Sequence, residues 1–137
     1  MRVVLDTNVL ISACLKPLGL EAQTVELVLR GAATLFITDA IRTEYRDVFS
    51  RPKFAHFPAA MLVNLERLAV PAIVSEPVSA ATDEDDNRFL ECAQAATADF
   101  LITGNLRHYP AEWGSTRIVN ARGFLQTFGC IIEVYEV

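Results

Sequence analysis

No apolar run in this chain approaches the roughly 18 residues that a membrane span requires, and the first residues read as a strand rather than a secretory signal. A cytoplasmic protein with no membrane partner is expected. Cysteine is scarce: Cys14, Cys92 and Cys130 are odd in number and lack the close pairs that zinc sites use. Two of them fall inside apolar helical patterns, where cysteine is usually a small buried hydrophobe, so no chemistry is assigned to them. Histidine forms no cluster that suggests zinc. Basic charge is also short, with 12 Lys and Arg against 17 Asp and Glu and a net charge of −5. That balance excludes a nucleic-acid binder acting through a basic surface alone. It leaves room for a nuclease whose local acids are neutralised by a divalent cation. Repeats and low-complexity tracts are absent, and 137 residues that are 52% hydrophobic suit one domain over 1–137 with an ordinary core.

What is present begins with Arg2-Val3-Val4-Leu5-Asp6-Thr7-Asn8. The β-branched and aliphatic run reads as a buried strand, and the small polar residues after it can open a helix. Asp6 therefore stands at a strand end, where open α/β sheets bind ligands. Asp is equally a favoured helix N-cap, so Asp6 alone does not separate cap from catalyst.

Farther along, 21–30 reads as a helix stopped by Gly31, and 34–37 as a strand. Thr38-Asp39 caps a helix running to about Ser50. On that helix Glu44 lies three residues after Ile41 and four before Val48, on or beside the buried stripe. An unpaired carboxylate there is costly, and pairing with Arg42 or Arg46 is its bland explanation. Pro58 opens another helix, Ala72-Ile73-Val74 reads as a third strand, and 82–87 is the densest acid cluster, opening a helix with Phe89, Leu90, Ala93 and Ala96 inward. Helix-dipole and capping effects account for most of those acids. Asp86 differs, because it precedes Phe89 by three and Leu90 by four and so tops the buried face. Strands at 99–103 and 116–119 and a short helix at 121–128 complete the pattern. Strands alternating with helices predict an α/β three-layer sandwich around a mainly parallel sheet of about five strands. The apolar tail 130–137 suits an edge strand or an interface segment.

In a parallel sheet, strand ends and helix starts share one rim, so Asp6, Glu44 and Asp86 can converge. Carboxylates brought together need compensation, and hard oxygen ligands select Mg²⁺ or Mn²⁺. Phosphodiester hydrolysis is the reaction such a site suits, since the cation activates water and needs no nucleophilic side chain.

Val4-Leu5-Asp6-Thr7-Asn8-Val9-Leu10-Ile11-Ser12 resembles the opening motif of PIN-domain proteins. Asp85-Asp86-Asn87-Arg88-Phe89-Leu90-Glu91-Cys92-Ala93 and Phe100-Leu101-Ile102-Thr103-Gly104-Asn105 resemble the second half of the same family. The resemblance is greatest to the prokaryotic, VapC-related branch assigned as toxins of toxin-antitoxin systems. It implies a metal-dependent ribonuclease with Asp6, Glu44 and Asp86 as metal-binding acids and Asn8 and Thr103 as orienting groups. It also implies an antitoxin partner and a homodimer, to which the apolar tail contributes. The family usually has Asp where this chain has Asn105. An Asn carbonyl can still ligate a cation, Asp83 or Asp85 can replace the missing charge, or Asn105 serves only as a turn residue. Arg51, Lys53, Arg88 and Arg107 are candidate contacts to single-stranded RNA, although solvated surface is the commoner role for any single one of them. The rival reading is a PIN-like binding module with weakened catalysis, acting through protein partners.

Overall fold

The computed structural model describes residues 1–129, so the tail expected at 130–137 as an edge strand or interface segment lies outside the described residues. Strand β1 (Arg2–Leu5) runs through the middle of the sheet. Its residues Val3, Val4 and Leu5 are apolar toward both faces, and each is 0% exposed, as a strand covered on two sides requires. Strands β2 (Thr34–Ile37), β3 (Val70–Pro71), β4 (Phe100–Ile102), β5 (Glu112–Trp113) and β6 (Thr116–Val119) join it in the order β3-β2-β1-β4-β6-β5. All pairings are parallel except β5 with β6.

The sheet thus has six strands among the described residues, where about five were expected. The addition is β5, which pairs Trp113 with Thr116 across Gly114 and Ser115. Gly114 takes φ +59, a backbone conformation that suits glycine and a tight hairpin. The third strand is also displaced from the expected Ala72-Ile73-Val74 to Val70–Pro71. Proline has no amide to donate and is tolerated at a sheet edge. The last bond is made by the Ala72 amide to the Ile37 carbonyl at 2.8 Å. Beyond it Ile73 stands 89% exposed, so the β-branched pair 73–74 follows the strand instead of forming it.

Helices α1 (Thr7–Leu15), α2 (Leu20–Leu29), α4 (Ala59–Leu68) and α6 (Ala121–Phe128) are linked through α2, which touches the other three. Helix α5 (Asn87–Ala96) packs on β1, β2 and β4. A right-handed crossover from β3 back to β4 puts it on the opposite face from those helices. Helix α3 (Asp39–Phe49) touches both α1 and α5. The α/β layering around a mainly parallel sheet is as expected. From β1 the chain winds toward β2, whereas from β4 it winds toward β6, so the order reverses between β1 and β4. A crevice at such a reversal, outside the carboxyl ends of the strands, is where this architecture binds ligands.

Candidate metal centre

Asp6 stands at that reversal. Its amide donates to the Ile102 carbonyl at 3.0 Å, extending the β1–β4 ladder by one bond. The side chain is 4% exposed. Its Oδ2 accepts from the Thr103 hydroxyl at 2.9 Å and from the Tyr109 hydroxyl at 2.8 Å. Although Asp6 occupies the N-cap position of α1, it makes no side-chain capping bond. Burial pushes its pKa up, and the Tyr109 and Thr103 bonds, with the neighbouring Asn8 and Thr7 amides, offset part of that rise. Tyr109 is itself held far above the phenol range by burial and by the facing Asp6 charge, so it stays protonated and donates.

Glu44 approaches from α3, whose N-terminus is secured by the Thr38 hydroxyl accepting from the Ile41 amide at 3.2 Å. The bland explanation of Glu44 fails. Arg42 pairs with Asp39 at 3.3 Å and Arg46 with Glu66 at 2.9 Å. Glu44 instead accepts from the Thr7 hydroxyl. Partial burial raises its pKa, the Thr7 bond opposes this, and the charges of Asp6, Asp85 and Asp86 raise it further.

The third contribution comes from the segment before α5. The helix expected to open within 82–87 starts as a 3-10 turn at Glu84–Asp86, with α5 proper beginning at Asn87. Asp83 caps that turn, its Oδ1 accepting from the Asp85 amide at 3.0 Å. Asp86 is half-buried and its Oδ2 lies 3.1 Å from His108 Nδ1. Burial raises the Asp86 pKa first, Asp6 and Asp83 add to the rise, and His108 opposes it. Asp83, Asp86 and His108 bring ligand atoms within 4.8 Å of one another.

Asp6, Glu44 and Asp86 are thus near enough to raise the cost of one another's charge, while the tightest group is Asp83, Asp86 and His108. Asn8 and Thr103 tie the two strand ends together. Asn8 Oδ1 accepts from the Gly104 amide at 2.8 Å, and Thr103 Oγ1 from the Asn105 amide at 3.0 Å. A Cβ on residue 104 would sit 3.2 Å from Asn8 Oδ1, so glycine permits this close approach. Asn105 is exposed and precedes the 3-10 turn Leu106–His108 without capping it. It lines an open cavity of about 530 Å³ with Thr82, Arg107, His108 and Asn120.

Of the basic candidates, Arg107 shares this cavity. Arg51 lies past the end of α3 and pairs with Asp47 at 3.6 Å. Lys53 lies over the Phe54 ring at 5.0 Å. Arg88 is engaged by Glu84 at 3.2 Å and Glu91 at 2.9 Å. Arg51 and Arg88 are paired elsewhere, and among the described residues no arginine pairs with Asp6, Glu44 or Asp86. An oxygen-rich, mutually repelling donor set of this kind fits a hard divalent cation.

Sequence reasoning missed His108, Tyr109 and Thr7. All three sit within a few residues of a strand end on the crevice rim, and that position was the available signal. Their partners were hidden by sequence distance, 22 residues for His108 to Asp86 and 103 for Tyr109 to Asp6.

The chain matches the family model described as PIN domain over residues 2–107. That span holds Asp6, Glu44, Asp83 and Asp86 and stops one residue before His108. It is also similar to an uncharacterized protein of Methanocaldococcus jannaschii, with 27% identity over 111 residues covering 77% of this chain and 71% of the relative. The match runs through both central strands and every acid of the crevice, and on it the chain belongs to the PIN domain family.

Proposed function

We propose that this chain is a metal-dependent ribonuclease that hydrolyses phosphodiester bonds of single-stranded RNA with Mg²⁺ or Mn²⁺ at the crevice between β1 and β4. PIN domains are generally nucleases, and they usually use divalent metals. The observation that carries the reading is the meeting of Asp6, Glu44 and Asp86 from three separate elements, each with its pKa raised and none paired with arginine or lysine among the described residues. A fold has no structural reason to place three carboxylates so, because each makes the others costlier to ionise.

Bound there, a divalent cation supplies charge to the phosphoryl oxygens and acidity to the attacking water. The chain's own groups do the positioning. Thr103 and Tyr109 fix the Asp6 carboxylate, and Thr7 fixes that of Glu44. Asn8 holds the Gly104 loop against the end of β1. Arg107, on the cavity wall, is the basic candidate placed to meet a phosphate.

Cleavage of a single-stranded RNA should require Mg²⁺ or Mn²⁺, stop on chelation, and be strongly reduced in Asp6→Asn, Glu44→Gln and Asp86→Asn. Wild-type rates in all three variants would end this reading. The toxin role belongs to the same proposal, with a homodimer and an antitoxin as partners. An apolar cleft of about 380 Å³ lined by Phe49, Phe54, Phe57, Leu62 and Val63 supports a protein partner. It also favours the second reading, a binding module with weakened catalysis. Calorimetry separates the two, since the module has no Mn²⁺ site that depends on Asp6.

A further inference from the structure

We infer that His108 is a nitrogen ligand in the metal centre, and that with Asp83 and Asp86 it biases the site toward a first-row transition cation such as Mn²⁺ over Mg²⁺. The inference rests on the metal dependence proposed above, and it adds His108 to the acids considered so far.

The geometry has three parts. Asp83, Asp86 and His108 offer ligand atoms all within 4.8 Å of one another, little more than the span of one coordination shell, so small side-chain adjustments bring the three to one ion. Two ligand atoms at about 2.1 Å from an ion and at right angles around it lie about 3 Å apart. His108 Nδ1 and Asp86 Oδ2 are already 3.1 Å apart. The same separation serves as a hydrogen bond without the ion and as one edge of a coordination shell with it.

The two loops that carry these groups are fastened to each other and to the core. The Thr82 amide donates to the His108 carbonyl at 2.8 Å, joining the residue before Asp83 to His108 itself. Asn87, 1% exposed, accepts from the Ala80 and Ala81 amides at 3.0 and 2.8 Å, and Glu91 accepts from the Val78 amide at 3.0 Å. The Asp83 segment is therefore held at its approach by two buried side chains of α5. Preorganised ligands lose less freedom on binding an ion. Asp86 also faces Asp6, so this group adjoins the Asp6–Glu44 end of the crevice through a shared carboxylate.

The donor set decides the preference. Carboxylate oxygens suit Mg²⁺ and Mn²⁺ alike, whereas imidazole nitrogen suits the first-row transition metals, among which Mn²⁺ is the hardest and so the one that fits a single nitrogen among oxygens. A site of oxygens alone gives no such bias. Asn105, whose side chain lines the adjoining cavity, is then a wall residue beside the centre, and Asp83 supplies the carboxylate that it does not.

The test is pulsed electron paramagnetic resonance of Mn²⁺ bound to the full chain, which reads nitrogen coupling directly and does not depend on turnover. Wild type should show ¹⁴N modulation from imidazole, and His108→Gln should abolish it. Calorimetry should show Mn²⁺ affinity falling about tenfold or more in His108→Gln, a loss of the size expected when a ligand contact is removed. Mg²⁺ affinity should change less than about threefold, and Asp83→Asn should weaken both cations. Bound Mn²⁺ without nitrogen coupling in wild type overturns the inference even if RNA is cleaved. Nitrogen-coupled Mn²⁺ in a chain that cleaves no RNA upholds it while removing the ribonuclease reading. Absence of any Mn²⁺ binding overturns both. The His108 side chain is 42% exposed, so loss of folding is not expected in the Gln variant.

Discussion

Glu44 on α3 and Glu91 on α5 both sit on the inward faces of helices, and their surroundings differ in every respect that matters to a charge. Glu91 is 7% exposed. It accepts from the Val78 amide at 3.0 Å and pairs with Arg88 at 2.9 Å. Its neighbour Asn87 is likewise satisfied, accepting from two backbone amides and donating to Glu84. Glu44 is less buried, has one hydroxyl donor, and looks onto Asp6, Asp85 and Asp86. A buried acid with a full set of partners anchors a loop, as Glu91 does for the segment before Asp83. A buried acid facing other acids lowers the stability of the metal-free fold, and such groups are the ones that functional sites retain.

The largest effect that distinguishes these regions is on turnover. Asp6→Asn and Asp86→Asn should lower RNA cleavage by about a hundredfold or more, since loss even of groups supporting a metal ligand costs about 10- to 100-fold. Circular dichroism should show the fold retained. Loss of the fold in both would mean that these acids are anchors like Glu91.

Stability should separate the two glutamates by sign. Glu91→Ala leaves the Val78 amide and the Arg88 guanidinium without their partner, and should cost about 2 to 3 kcal/mol in denaturant titrations. Glu44→Gln removes one of several facing charges and should raise the melting temperature in chelator. Both variants destabilised to the same extent would erase the contrast.

The pH dependence of the metal-free protein follows from the same raised carboxyls. Asp6, Glu44 and Asp86 hold protons more tightly folded than unfolded. Their contribution to stability is therefore greatest in acid and is lost as pH rises from the ordinary carboxylate range through the raised values. With Mn²⁺ present the order reverses, because protons compete with the cation and the stabilisation by binding shrinks as pH falls. Melting temperatures measured from pH 4 to 8 with and without Mn²⁺ should coincide in acid and diverge as pH rises.

The smallest change is expected from Asn105→Asp. With Asp83 already beside Asp86 and His108, the added charge should alter Mn²⁺ affinity by less than about threefold, within the range of a screened surface charge. A tightening well beyond that in calorimetry would show that the charge had not been supplied from residue 83.

Local pattern was sufficient for much of this molecule. The run Thr34–Ile37 folds as the strand its residues suggest, and Gly31 and Gly129 end helices at positive φ as C-terminal glycines do. The strand end at Asp6, the stripe position of Glu44 and the inward aim of Asp86 were each visible because helix and strand periodicities are local rules. Where a rule is not local, the pattern misled. Ile73 and Val74 have strand composition, yet pairing with β2 is used up by Val70, Pro71 and the Ala72 amide. His108 and Tyr109 lie in a turn without periodicity, and their roles come from loops joined across the crevice by the bond between Thr82 and His108.

The bond from the Asp6 amide to the Ile102 carbonyl also bears on how the crevice opens and closes. One wall is welded to the two central strands, so its amide protons should exchange with solvent only when the whole domain unfolds. The other wall, Thr82 to Asp86 together with Asn105 to His108, is built of short turns at the surface and should exchange through local openings. A cation bridging them would slow exchange in the turns and leave Asp6 nearly unchanged. The two loops of that outer wall, joined by the Thr82–His108 bond, should open together, so protection gained in one on adding Mn²⁺ should be gained in the other as well.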